Sequence, residues 1–168
     1  MTTPDRQLIR IKRAAEGGPL ALVDPIGTAA KQDYATVTRT VVADTSSNVT
    51  GTYKIKVFDQ FAVVIIAARF NSEASIASDG TNYDTFTLTS DDDKGGSATT
   101  VSTTTGVNTS ATALAANQSV AMPLNATVAN LAIAKGGALY LVEAKAGAGK
   151  AMTGPYSIDV TYRIDDTT

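Results

Sequence analysis

PYSIDVTYRI, residues 155–164, is the stretch that decides the fold class. Its apolar and aromatic residues alternate with polar ones at every second position. Because successive side chains of a β-strand point to opposite faces, this alternation predicts a strand with one buried and one exposed face. The residues predicted for the buried face are Tyr156, Ile158, Val160, Tyr162 and Ile164.

Segments of similar character recur along the chain. They are Thr36–Ala43, Val49–Phe58, Phe61–Phe70, Tyr83–Thr89 and Ala138–Lys145. The run FAVVIIAARF at 61–70 is almost continuously apolar and rich in β-branched residues, which predicts a central strand covered on both faces. About eight strands separated by turn residues predict an all-β fold, either an antiparallel β-sandwich or a jelly-roll-like barrel. The strand order stays open at this point.

Several shorter segments have weaker patterns. Ala98–Thr105 is rich in Thr and predicts an edge strand, while Ser110–Asn117 predicts a helical turn because Ala and Leu favour helices. Ser119–Leu124 and Thr127–Ala134 are apolar but fit either a strand or a helix.

The N-terminal segment differs from the rest of the chain. Breakers of regular structure, Gly17-Gly18-Pro19 and Asp24-Pro25 among them, predict an extended arm over residues 1–31, followed by a β-sandwich domain over residues 32–168. Basic and apolar residues alternate in this arm and make it a candidate docking segment: Arg6, Leu8, Ile9, Arg10, Ile11, Lys12 and Arg13. An equally good interpretation is a solvated edge strand whose like charges discourage aggregation.

The amino-acid composition argues against catalysis and metal binding. The chain has no Cys and no His, so it lacks thiolate ligands, the commonest general base and the commonest metal ligand. No nucleophile elbow or other catalytic motif is present, and we therefore expect a protein that is not an enzyme, with no cofactor and no small-molecule substrate. A net charge of −2 gives no basic field for nucleic acid.

The sequence also predicts no contact with a membrane. The charged N-terminus lacks the apolar segment of a signal peptide, so we expect a soluble chain made without a secretion signal. The longest apolar run, Phe61–Ala68, is far too short to cross a bilayer.

Three consecutive carboxylates, Asp91, Asp92 and Asp93, stand before Lys94 and two glycines. Clustered carboxylates suit a hard cation such as Ca²⁺, but the spacing of a calcium-binding loop does not follow. The pattern favours a solvated acidic turn, and we predict no metal site.

Three segments of the C-terminal third suggest a family. IAKGGALYLV at 133–142, then KAGAGKAM at 145–152 and the strand that follows, resemble small structural proteins of tailed bacteriophages. In that family the pattern corresponds to a strand, a Gly-rich hairpin and a closing strand of a β-sandwich. The resemblance covers about the last forty residues.

The resemblance implies a virion structural protein, a capsid decoration or cement protein on the capsid exterior. It implies a homotrimer that binds the major capsid protein, stabilises contacts between capsomers and is made in the host cytoplasm. No catalytic residue comes with this family. The alternative is an adhesive or fibre module that binds a receptor or glycan, for which exposed aromatic residues on loops would be the expected sign.

Overall fold

A computed structural model describes residues 34–41, 50–94, 96–149 and 154–165. These residues form ten strands and one 3-10 helical turn. The strands are β1 (Tyr34–Val41), β2 (Gly51–Val57), β3 (Val63–Ser72), β4 (Tyr83–Asp91), β5 (Thr99–Thr100), β6 (Val107–Asn108), β7 (Gln118–Ala121), β8 (Ala132–Ile133), β9 (Ala138–Ala146) and β10 (Tyr156–Ile164), and the helical turn is Val128–Leu131. The predicted arm over residues 1–31 lies outside the described residues and stays a prediction.

The strands form two antiparallel sheets that share one core. Sheet A has the order β1-β10-β3-β7, with β8 also paired to β3, and sheet B has the order β2-β9-β4-β5, with β6 also paired to β4. The chain alternates between the sheets from β1 to β4 and again from β8 to β10. This order is the one that defines a jelly roll. The predicted all-β sandwich is confirmed, and the structure adds the strand order that the sequence left open.

Alternation along the strands builds the core. Every second residue of β4 is buried, from Asp84 to Ser90, and β10 buries Tyr156, Ile158 and Val160 in the same way. At the centre, the rings of Phe70, Phe86 and Tyr156 lie with their centroids 4.5–5.3 Å apart. Phe70 and Tyr156 belong to sheet A and Phe86 to sheet B, so this aromatic trio joins the two sheets.

The predicted strand at 61–70 is central, but its predicted bounds and its predicted burial on both faces were wrong. It runs over Val63–Ser72, and Phe61 lies before it with 37% of its surface exposed. The register between β3 and β10 shifts at Thr161/Tyr162, so Ile66 has no partner in β10 and is 39% exposed. Such a β-bulge adds one residue to one strand, and here it turns part of the apolar run outward.

The predicted helical turn at Ser110–Asn117 was also wrong. Leu114 is buried and forms an antiparallel bridge with Ile76, whose N–H and C=O both bond to Leu114. Burial of Leu114 between neighbouring loops therefore overrides the weak helix propensity of the surrounding alanines. Within the described residues, the helical turn at Val128–Leu131 falls in a segment whose pattern fitted either state.

One glycine is required by the connection to β6. Gly106 has a φ of +47°, and a Cβ atom at this position would lie 1.9 Å from the carbonyl oxygen of Phe86. Both the backbone conformation and the close approach to β4 exclude any other residue without rearrangement.

The facing of β10 can be tested with two adjacent substitutions. Val160→Asp buries an unpaired carboxylate at a fully buried site, so we expect the free energy of unfolding to fall by about 4 kcal/mol or more. Thr161→Asp places the same group on the outer face, where we expect a loss under about 1 kcal/mol. Urea unfolding of both variants measures the difference, and equal losses would show that the facing is wrong.

Candidate interaction surfaces

The outer face of sheet A carries a row of hydrogen-bonded polar side chains, which we call the polar ladder. It crosses three strands: Thr38 on β1 donates to Asp159 on β10 (2.5 Å), and Asn71 on β3 donates to the other oxygen of Asp159 (2.8 Å) and to Ser157 (3.2 Å). Asp159 therefore accepts from both neighbouring strands. Further pairs on the same sheet join Thr36 to Thr161 (3.2 Å) and Arg69 to Ser119 (2.9 Å).

These bonds give the outer face of sheet A a defined surface. The side chains of Asn71, Ser157 and Asp159 are partly buried by their neighbours, and each is held by bonds across strands. A surface fixed before binding loses less side-chain entropy when a partner covers it. The ladder is therefore suited to contact a protein partner over an area rather than through one deep pocket.

The outer face of sheet B has a charged cluster made by Lys54, Asp93 and Tyr140. Asp93 Oδ1 lies 2.5 Å from Lys54 Nζ and accepts a hydrogen bond from the Tyr140 hydroxyl at 3.0 Å. The bond from Lys54, followed by that from Tyr140, holds the pKa of Asp93 below its ordinary value. Desolvation and then the bond to Asp93 raise the pKa of Tyr140. The cluster fastens the turn after β4 to β2 and β9.

The three predicted acidic residues are engaged in their own turn. Asp91 accepts from the N–H of Asp93 (2.7 Å), and Asp92 accepts from the N–H groups of Lys94 and Gly96 (3.0 Å each). These backbone bonds, that from Lys94 first, lower the pKa of Asp92. Over the described ranges, no group of three or more Asp or Glu side chains is placed to hold a metal ion. The arrangement is that of a solvated turn.

A cleft of about 300 Å³ lies beside this turn. It runs between the end of β4 and the turn that joins β8 to β9. The residues that line one side are polar, and those that line the other side are mostly small or apolar. The lining residues are Ser90, Asp91, Asp92, Lys94, Ser97, Thr99, Ala132, Ile133, Ala134, Lys135, Gly136 and Gly137. No aromatic ring is among these lining residues.

A buried polar contact crosses the core. Glu143 on β9 is 2% exposed, and its Oε2 accepts a hydrogen bond from the Tyr156 hydroxyl on β10 at 2.5 Å. Burial, together with the neighbouring Glu143, raises the pKa of Tyr156 well above its usual range, so the hydroxyl stays protonated and remains a donor. Asp84 on the adjacent strand is buried as well, and its backbone N–H and C=O bond to Thr109. Both carboxylates lie in phase with the buried residues of their own strands, but they were not predicted to be buried.

The predicted site residues and the surfaces found here do not coincide. Arg6, Leu8, Ile9, Arg10, Ile11, Lys12 and Arg13 lie outside the described residues, so the docking arm stays a prediction. The polar ladder was not predicted as a site. Its signal was present in the polar half of the alternation in β10, which carries Ser157, Asp159 and Thr161. Only the strand order reveals that Asn71 and Thr38 lie beside them.

None of the helical residues in the described ranges forms a helix long and apolar enough to cross a membrane. No known protein-family profile matches the sequence, and no curated protein matches it. Among solved structures, the chain is similar to a chain in the structure of infectious bursal disease virus, Gx strain, with 15% identity and a TM-score of 0.32. The match covers 87% of this chain and 36% of the viral one, so this chain spans about a third of that chain's length.

Removing the buried hydroxyl of Tyr156 tests how much it contributes to the stability of the fold. Tyr156→Phe keeps the ring but takes away a donor to the buried carboxyl of Glu143, and we expect the free energy of unfolding to fall by about 1–3 kcal/mol. Tyr162→Phe on the same strand is the control. Its ring packs edge-on against Phe58 with centroids 5.0 Å apart, and this contact survives, so we expect a change under about 0.5 kcal/mol. Equal effects in chemical denaturation would contradict the role assigned to Tyr156.

The charged cluster predicts how stability changes with pH. A carboxyl whose pKa is lowered by folding stabilises the fold above its unfolded pKa and loses that contribution as pH falls through its folded pKa. The ordinary pKa of Asp93 is 3.8 and the folded one is lower. We therefore expect the wild-type protein to lose stability more steeply than Asp93→Asn as the solution is acidified below about pH 4. Denaturation curves collected at several acidic pH values measure this, and parallel losses in both proteins would contradict it.

Proposed function

We propose that this chain is a structural protein of a virion that decorates and cements the outer surface of a bacteriophage capsid. The observation that carries the proposal is the jelly-roll strand order, an arrangement used by viral capsid domains as well as by lectins and cupins. The resemblance of residues 133–164 to tailed-phage structural proteins points to the first of these uses. The proposed partner is the major capsid protein.

Such a role requires binding energy but no catalysed reaction. A protein that binds only the assembled shell stabilises it by mass action, because each bound copy lowers the free energy of the assembled state. The polar ladder offers a preformed surface for this contact, and the loops at Asn71–Asn82 and Asp91–Ser110 offer additional ones. The basic arm, with Arg6, Arg10, Lys12 and Arg13, is the proposed docking segment for an acidic capsid surface.

The alternative is an adhesive or fibre module that binds a receptor or glycan. Sugar sites use aromatic faces for stacking, but the polar cleft beside Asp92 has no aromatic residue in its lining. The rings of Phe86 and Tyr156 are buried in the core, whereas Tyr34 on β1 and Phe61 before β3 are exposed, and neither exposed ring lines that cleft. The cleft therefore lacks the aromatic stacking surface that a sugar site uses.

The proposal places the chain on the capsid exterior after synthesis in the host cytoplasm. The homotrimer implied by the family resemblance remains a proposal for the assembled particle. Three copies around one capsid position would multiply weak contacts, because the second and third contacts become intramolecular once the first has formed.

Deleting residues 1–30 tests whether the arm contributes to capsid binding. An arm that orders on binding must offset its lost conformational entropy with contacts to the partner, so its removal should weaken attachment about tenfold or more. The β-sandwich should keep its melting temperature. The measurement is co-sedimentation of full-length and truncated protein with capsids assembled without it.

A second variant distinguishes the contribution of the arm's charge to capsid binding from that of its length. It is the full-length protein with Arg6, Arg10, Lys12 and Arg13 all replaced by Gln. We expect it to bind weakly and to have lost most of the salt dependence of the wild-type protein. Full binding by both altered proteins would remove the arm from the proposal and move the contact to the ladder and loops. No binding by the wild-type protein would overturn the proposed function itself.

A further inference from the structure

One long run of the chain carries no charge. Residues 95–134 contain no Asp, Glu, Lys or Arg, although these four residue types make up 18% of the chain. The structure describes residues 96–134 without a gap, and the exposed ones are mostly Ala, Thr and Ser. Protein surfaces ordinarily mix charges of both signs, and depletion of charged residues is the compositional sign of the centre of a protein interface.

The fold gathers this run on one side of the sandwich. Strands β5 and β6 lie beside β4 at the edge of sheet B, and β7 and β8 lie beside β3 at the edge of sheet A. A bridge between Ser102 and Leu124 joins these two edges, and the N–H of Asn125 donates to the C=O of Val101 at 2.8 Å. Residues 96–134 therefore form one continuous surface, which we call the uncharged side.

Polar side chains of the uncharged side are bonded to its own backbone. Asn125 accepts from the N–H of Thr127 (2.9 Å) through Oδ1 and donates to the C=O of Thr100 (3.0 Å) through Nδ2. Gln118 Oε1 accepts from the N–H of Ala115 at 2.6 Å. Groups bonded in this way depend less on water, so covering the surface with a partner costs less desolvation free energy.

The uncharged side also has an apolar anchor and a charged border. Val128, on the helical turn before β8, is 71% exposed, the largest exposure among the exposed large apolar side chains of the described residues. Arg69 on β3 borders the side and donates to Ser119 Oγ at 2.9 Å, while Lys94 and Lys135 flank the run in sequence. An uncharged centre with a charged rim is the usual anatomy of a protein interface.

We propose that the uncharged side is the surface through which copies of this chain contact one another in the homotrimer, with Val128 buried in the contact. This inference rests on the proposed function, which supplies the trimer, and deepens it by naming the surface that joins the copies. A three-fold ring needs two different patches on each copy, because its contacts are heterologous. The uncharged side spans the edges of both sheets and supplies both patches.

The absence of charge is what favours a second copy as the occupant. Identical chains bring identical charges together, and a surface without charges avoids like-charge repulsion between them. An acidic capsid surface would instead be attracted by basic groups, which this side lacks. Part of the uncharged side overlaps the loop at Asp91–Ser110 that is offered to the capsid above, so the experiment must distinguish the two occupants.

Val128→Glu tests the contact by placing a carboxylate in it. We expect the dissociation constant of the trimer to rise about tenfold or more, because burying an unpaired charge is costly. The single copy should keep its fold, since this side chain is exposed there. Thr52→Glu is the matched control, because Thr52 is an exposed residue of β2 at the opposite edge of sheet B. It adds the same charge outside the contact and should leave the dissociation constant unchanged.

Thiol labelling gives a second measurement. The natural chain has no cysteine, so Val128→Cys and Thr52→Cys each introduce a single reactive group. We expect the rate at which a maleimide labels the Val128→Cys thiol to fall about tenfold as the protein concentration is raised through the dissociation constant, because the fraction of free copies falls. The labelling rate of the Thr52→Cys thiol should not change.

Sedimentation equilibrium of the full-length proteins measures association, and circular dichroism checks that each variant folds. A wild-type trimer that is weakened by Val128→Glu and protects the Val128→Cys thiol supports the proposal. A monomer or a dimer at about 100 µM overturns it, as does a trimer that is indifferent to both changes at Val128. Protection of the thiol only when capsids are added would assign this side to the capsid and also overturn it. Co-sedimentation of the wild-type protein with capsids tests the proposed function separately, because a trimer that binds no capsid contradicts that function alone.

Discussion

Tyr156 is the residue on which the association of the two sheets most depends. Its ring packs against both Phe70 and Phe86, and its hydroxyl crosses the core to bond Glu143 on the opposite sheet. A carboxyl group that is almost completely buried is costly unless its oxygens are bonded, so the tyrosine both fills the centre and lowers the cost of burying one carboxyl oxygen, Oε2.

Strand β10 joins this core to the outer surface. One face supplies Tyr156, Ile158 and Val160 to the sandwich, and the other supplies Ser157 and Asp159 to the polar ladder. The packing that fixes the position of the core residues therefore also fixes the position of the ladder residues. A surface built this way inherits the rigidity of the core, which lowers the side-chain entropy that is lost when a surface is covered.

The alternation in residues 155–164 was enough to predict the all-β class, because period-two burial is a local property of a strand. Strand order was beyond prediction, since the pairing of β10 with both β1 and β3 depends on residues far apart in the chain. The exposure of Ile66 was missed because a bulge arises from the pairing of two strands and is not visible in one.

The polar ladder could be predicted only in part. The polar face of β10 could be read from the sequence, but its partners Thr38 and Asn71 could not. Glu143 lies in phase with the buried Leu139 and Leu141, but the hydroxyl that bonds its carboxyl comes from another strand and could not be predicted from that pattern.

The pairing of the first described strand with the last has a consequence for synthesis. Thr36 and Thr161, which bond across β1 and β10, are separated by 125 residues. At about 5–20 residues per second, β1 leaves the ribosome roughly 6–25 s before its partner exists. During that interval both edges of a β-branched strand are open, and polysomes carry many such chains side by side. We therefore expect the yield of soluble protein to depend on translation speed and chaperone supply.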